Sequence, residues 1–225
     1  SNKDHISEVI LIDDYSDESQ SAQAKIFCNK NDWVYARNKK NLGPAYTRNR
    51  AVSDFCTQEY VAFLDSDDMW VDGRVNFIAE MIKKYDADVY INNYGYELSG
   101  DRPSGDVRLL QPVSCLFKNL LQPSCLVIKK DIFPGFDASM RYSEDFDLFI
   151  KLCFYGKVYY DASILTILGR RQGTSGGLSG NKLKMRLGEL RAYFNSYKRK
   201  EIGPIVFVFL LFWSIMKHCR RSLFK

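Results

Sequence analysis

The sequence predicts an α/β fold: a mostly parallel sheet flanked by helices, with a helical tail at the C-terminal end. Three observations carry that expectation. Short apolar runs of strand length alternate with longer stretches of helical periodicity. Several of the runs are apolar on both faces, as strands covered by helices on each side are. The chain has 225 residues, 46% of them hydrophobic, which suffices for a domain with its own core and excludes a disordered chain.

The elements follow in order. Glu8–Asp14 is a short apolar run that closes on two carboxylates, and reads as a buried parallel strand. Polar Ser16–Ser21 can cap a helix reaching about Lys30. Trp33–Ala36 is a second short strand. Asn41-Leu42-Gly43-Pro44 is a turn, and Pro44 suits the first turn of a helix to about Phe55. Tyr60–Leu64 is a third strand, closing on Asp65-Ser66-Asp67-Asp68. In Val71–Tyr85, Val75, Ile78, Met81 and Ile82 recur at helical spacing. Strands are expected at Asp88–Tyr94, Ser124–Ile128, Lys157–Tyr160 and Ile164–Leu168, a loop or hairpin at 99–108, and an amphipathic helix at Asp145–Phe154. The boundary between a catalytic domain and a basic helical tail is placed at 175/176.

Charge divides the same way. Residues 182–225 hold 11 Lys or Arg against two acids, Glu189 and Glu201, while the whole chain carries +5. The body is therefore mildly acidic and the tail basic, which points to an anionic partner surface. A membrane fits better than nucleic acid. Ile205–Met216 is apolar on every side but shorter than the ~20 residues a spanning helix needs. With Lys198, Arg199 and Lys200 before it and Lys217, Arg220 and Arg221 after it, residues 198–221 suit a segment lying in a membrane surface. A helix packed on the domain is the alternative.

The cysteines, Cys28, Cys56, Cys115, Cys125, Cys153 and Cys219, form no Cys-x-x-Cys pair, and His5 and His218 are the only histidines. Zinc is not expected. Most of the cysteines sit in apolar runs like buried free thiols, which suggests a reducing compartment. The chain opens without Met, as if mid-protein or after a removed tag.

The acidic clusters carry the chemistry. Ligands of α/β sheets bind beyond the carboxyl ends of the strands, where both clusters are expected. Three carboxylates within Asp65–Asp68 repel one another unless a cation sits among them. Mg²⁺ and Mn²⁺ prefer such oxygen ligands, completed by substrate phosphates. The plain alternative is a solvated turn that caps the next helix. Asp13-Asp14 could accept bonds from a base or ribose, or could likewise cap a helix.

Four motifs then occur in order over residues 8–155. Val9–Ser16 (VILIDDYS) resembles the strand and Asp-Asp element of family 2 glycosyltransferases. Asn41–Ala51 resembles that family's N-x-G-x-x-x-A-R-N-x-A, with Thr47 in place of Ala. Phe63–Trp70 (FLDSDDMW) is similar to its D-x-D element, and Ser143–Leu148 (SEDFDL) to its E-D element. The resemblance implies a GT-A type fold and a metal-assisted, inverting transfer from a nucleotide-sugar, UDP-linked by family frequency. It implies that Asp14 contacts the base, Asp65 lies near the ribose, and Asp67, with Asp68 beside it, holds Mn²⁺ or Mg²⁺ on the diphosphate. Arg48 would lie near the nucleotide. Asp145 would be the general base, with Glu144 orienting the acceptor. The reaction needs both parts: a base for the acceptor hydroxyl and a cation for the departing diphosphate.

Two departures qualify the resemblance. The family's opening strand and P-x-Y-N turn are not in this sequence, so one wall of the donor site is expected to be missing. At Leu168–Ser175, where relatives carry Tyr-Arg-x-His, Arg170 keeps the Arg but Gln172 replaces the His. A diphosphate contact then falls to Arg170 or Arg171. No Q-x-x-R-W motif is present, which implies one sugar per acceptor. The acceptor implied is a lipid-linked glycan at the cytoplasmic face of the inner membrane. A nucleotidyltransferase and a degenerate GT-A interaction module are the competing readings.

Overall fold

The structure, a computed structural model, describes residues 5–97, 106–171 and 180–223. Three readings fall outside these residues: most of the loop expected over 99–108, Gln172, and the domain boundary at 175/176.

Strand β1 (Ile10–Asp13) pairs in parallel with β2 (Val34–Arg37) across helix α1 (Glu18–Lys30). Asp17 caps α1, its carboxylate accepting from the Gln20 N–H at 3.0 Å. Helix α2 (Pro44–Arg50) starts behind Gly43, whose φ of 85° suits glycine. It runs on to Phe55, as expected, but as a wider π turn over Ala51–Phe55. There follow β3 (Tyr60–Ala62), β4 (Met69–Trp70), α3 (Arg74–Tyr85), β5 (Val89–Gly95), β6 (Val107–Leu109), α4 (Pro112–Cys115), β7 (Leu126–Lys129), α5 (Glu144–Tyr155), β8 (Val158–Ile167), α6 (Lys182–Lys198) and α7 (Pro204–Leu223).

The sheet corrects the expected "mostly parallel" arrangement. Its order is β3-β7-β5-β8-β4, with β6 also on β8. Only β5 and β8 pair in parallel within it; β3–β7, β7–β5, β8–β4 and β6–β8 are antiparallel. The cause is β7, which inserts between β3 and β5. Those two point the same way and are joined by a helical crossover, as the alternation predicts. Alternation along a chain fixes strand direction, not adjacency.

The two strands expected at 157–160 and 164–168 are one, β8, with register shifts opposite Asn92–Tyr94. Polar Asp161 and Ser163 broke the apolar pattern. Both are buried and bonded: Asp161 accepts from the Tyr90 hydroxyl at 2.7 Å and from the Ser163 N–H at 2.8 Å.

Helices cover both faces. Val89, Ile91, Leu126 and Ile128 pack with Leu148, Phe149 and Leu152 of α5 and Tyr193 of α6. The alternate residues Tyr90 and Val127 meet Ile78 of α3. Buried Asp147 ties α5 to the end of α6, with Arg199 at 2.9 Å and Asn195 at 3.2 Å, and has Lys151 at 3.0 Å. Gly188 lets α6 approach the start of α5, because a Cβ there would lie 2.4 Å from the Tyr142 carbonyl oxygen.

Cys28, Cys56 and Cys125 are buried free thiols as expected. Cys115 and Cys153 are not. They form a disulfide between α4 and α5, since two packed helices juxtapose residues that no local pattern links. The expectation of a reducing compartment loses that support.

Candidate active site

Three segments meet at the site: the loop after β3, the helix α2 and the start of α5. Arg48 of α2 joins them. Its NH2 donates to both oxygens of Asp65, at 2.6 and 2.8 Å, and its NH1 lies 4.0 Å from Glu144 Oε1. An arginine on a helix face is usually solvated; this one is mostly buried and stacks over Phe136. NH1 is buried without a hydrogen-bond partner.

Ser124, just before β7 and fully buried, organises the loop after β3. Its Oγ donates to Asp68 Oδ2 at 2.5 Å and accepts from the Asp65 N–H at 3.0 Å. Its carbonyl accepts from the Trp70 indole at 2.8 Å. Behind Trp70, the buried Arg74 guanidinium stacks 4.3 Å from the ring and donates to Asn92 at 3.0 Å. Burial brings Arg74 down to about 10. The other Asp68 oxygen accepts from the Gly169 N–H at 3.1 Å. Burial raises the Asp68 carboxyl, and the charges of Asp65 and Asp67 add to that. Gly169 is needed here: a Cβ would sit 1.8 Å from the Asp67 carbonyl oxygen.

Asp67 differs from its neighbours. It is about half exposed, and its carboxylate meets Arg170 at 3.3 Å. Among the described residues no group of three or more His, Cys, Asp or Glu is placed to hold an ion. Asp67 fits the mode in which one carboxylate and substrate phosphates share Mn²⁺ or Mg²⁺. Asp68 lies beside it, each of its oxygens accepting one hydrogen bond from the loop and keeping a lone pair.

Asp14 stands apart. Its carboxylate accepts from Asn38 at 2.7 Å, from the Leu42 N–H at 2.9 Å and from the Gly43 N–H at 2.8 Å. It holds the turn before α2 without capping that helix, and shares Asn38 with Thr47, the neighbour of Arg48.

Glu144 and Asp145 open α5, where the exposed ends of backbone N–H groups favour acids. Ser143 before them has φ 58° and is clamped to α6 through the Met185 carbonyl at 3.1 Å. Burial pushes Glu144 up to about 7, and the Asp145 charge adds to it. Burial also raises Asp145, opposed by a hydrogen bond from Asn119 at 2.7 Å. A carboxyl raised toward neutrality is what a general base requires. Asn119 and Ser124 had no signal in the sequence, since a lone Asn or Ser far from the motifs is commonplace; Gly169 adjoins Arg170, but nothing in the sequence links it to Asp68. A cavity of about 390 Å³ lies away from this site, lined by residues of 131–134 and 151–156.

Comparison with known proteins bears on the family and the fold. The family model described as Glycosyl transferase family 2 matches residues 2–140. An uncharacterised glycosyltransferase of Rickettsia typhi is 25% identical over 173 residues, 70% of this chain and 53% of its own length. The chain thus spans about half of that relative. Among solved structures, S. aureus TarS 1-349 superposes with a TM-score of 0.65 at 17% identity, over 94% of this chain and 62% of its own. A mannosyltransferase of Pyrobaculum calidifontis, solved with GDP-Man and Mn²⁺, gives 0.62 at 11% identity, over 85% and 55%. These likenesses establish the fold, the GT-A type.

Proposed function

The chain belongs to glycosyltransferase family 2, and we propose that it moves one sugar from a nucleotide-sugar, UDP-linked in the first instance, to a lipid-linked glycan, with inversion. Arg48 carries the reading. It places Asp65, on the donor side, beside Glu144, on the acceptor side, so that two acidic clusters far apart in sequence form one site.

Asp65, Asp14 and Arg48 are assigned to the nucleotide, and Arg170 to the diphosphate, which would draw it from Asp67. Asp67, with Asp68 alongside, would hold Mn²⁺ or Mg²⁺, and the bonds of Asp68 to Ser124 and Gly169 fix the loop that presents them. The ion, when bound, supplies Lewis-acid neutralisation of the leaving diphosphate. Asp145 takes the proton of the acceptor hydroxyl as that oxygen attacks the sugar carbon, and Glu144 orients the acceptor. The neighbour solved with GDP-Man and Mn²⁺ supports the donor and metal assignments by analogy of fold. Calorimetric titration with UDP, with and without Mn²⁺, tests the donor site. Metal-dependent binding is expected; no binding of UDP, GDP or dTDP would overturn the reading in favour of a degenerate module.

For the acceptor side we assign a peripheral contact with an anionic membrane, at the cytoplasmic face of the inner membrane. Helix α7 turns Leu210 and Ser214 inward and leaves Ile205, Phe209, Phe212 and Met216 more than half exposed. No helix among the described residues is long and apolar enough to cross a membrane. Two of the cations expected to face headgroups are engaged within the fold: Arg199 with Asp147 and Glu201, and Lys217 with Glu189. The apolar face therefore carries more of this contact than charge does. Co-sedimentation with phosphatidylglycerol vesicles should fall severalfold in Phe212→Ser, at ~25 cal/mol per Å² of apolar surface withdrawn from water. Binding equal to wild type would show that α7 is not the contact.

A further inference from the structure

Asn119 lies in the loop between α4 and β7, outside every motif that identified the site. Its side-chain oxygen accepts from the Leu121 N–H at 3.0 Å. That bond fixes which way the amide points, so its NH2 must face the other way. There it donates to Asp145 Oδ2 at 2.7 Å. The backbone N–H groups of Phe146 and of Asp145 itself are also turned to this carboxylate. Oδ1 has no side-chain donor among the described residues.

The loop is anchored on both sides of Asn119. The Tyr193 hydroxyl of α6 donates to the Leu116 carbonyl at 2.8 Å. The Phe117 ring meets Phe209 and Trp213 of α7 edge-on, with centroids 6.3 and 5.8 Å apart. The C-terminal helices thus hold the segment that holds Asp145.

We propose that Asn119 is a positioning residue for the general base: it pins Asp145 Oδ2 and leaves Oδ1 to take the acceptor's proton. This rests on the glycosyltransferase reading above. The chemistry is directional. An amide N–H can only donate, so it stabilises an ionised carboxylate oxygen over a protonated one. Burial pulls the other way, raising the Asp145 carboxyl. The charged groups around it are Glu144 on its own helix and Arg48 on α2, with Asp65 acting on Glu144 from the loop after β3. Asn119 is the uncharged counterweight to that burial.

Two variants and two readouts test this on the 225-residue chain. Asn119→Ala removes the donor. It should raise the Asp145 titration midpoint, followed by carboxyl carbon NMR, by about one pH unit or more, the size of a charge-assisted hydrogen bond. The acid limb of the transfer rate should move up with it, about a tenfold loss at a pH below both values, with UDP affinity unchanged. Asn119→Asp keeps the oxygen that Leu121 needs but sets a carboxylate against Asp145. It should shift the midpoint further upward by like-charge repulsion. If Asn119 only shaped the loop, the Asp145 midpoint and the acid limb would stay put in Asn119→Ala, and that result overturns the proposal. Failure of the parent reading looks different: wild-type protein would bind no nucleotide, while the Asp145 titration would still report on Asn119.

Discussion

Asp145→Asn is expected to abolish sugar transfer while leaving nucleotide binding intact. A positioned general base contributes about 10²–10⁴-fold, and asparagine keeps the shape of aspartate without the ability to take a proton. Donor groups are untouched, because Asp65, Asp67 and Arg48 lie on other segments and Asp145 bonds to Asn119, not to them. Rate and UDP affinity measured on the same preparation separate the two effects. Glu144→Gln is the informative companion. Glu144, pushed up to about 7, also has a base-like value, although its carboxylate faces Arg48. Retained transfer in Asp145→Asn together with loss in Glu144→Gln would move the base assignment by one residue.

Asp67→Ala should remove the Mn²⁺ dependence of UDP binding. Loss of even a supporting partner of a metal ligand costs about 10–100-fold in metal affinity, so loss of the ligand itself should cost at least that. Asp68→Ala is expected to fail differently. Its oxygens hold Ser124 and Gly169, so this change should loosen the loop, with a lower melting temperature accompanying any loss of affinity. If Asp67→Ala titrates with UDP and Mn²⁺ as wild type does, the metal role assigned to Asp67 is wrong. Arg170 adds an internal control. Released from Asp67, it gains freedom to meet the diphosphate, so metal-free UDP binding in this variant should be kept or slightly improved.

Local chemistry made much of this protein legible from its residues. Pro44 behind Gly43, the acids that open α5 and the apolar spacing of α3 each act within one or two turns of chain. The sequence therefore located those elements to within a few residues. It also marked the ends of β1 and β3 as acidic, and the order of four motifs identified the family. Those readings rest on short-range sterics, hydrogen bonding and periodicity, which neighbouring residues settle among themselves.

Contacts between distant segments were decided only by the tertiary structure. Nothing near Leu126–Lys129 says that β7 slips between β3 and β5. Nothing near Cys115 points to Cys153. The same limit governed the site. The motif put Arg48 near the nucleotide but not between Asp65 and Glu144, and it named Asp68 without the bonds from Ser124 and Gly169 that orient its carboxylate. The residue types were visible in the chain; which of their atoms remained free for a ligand depended on packing across the fold. Burial then acted on the charge states, raising the carboxyls of both Glu144 and Asp145.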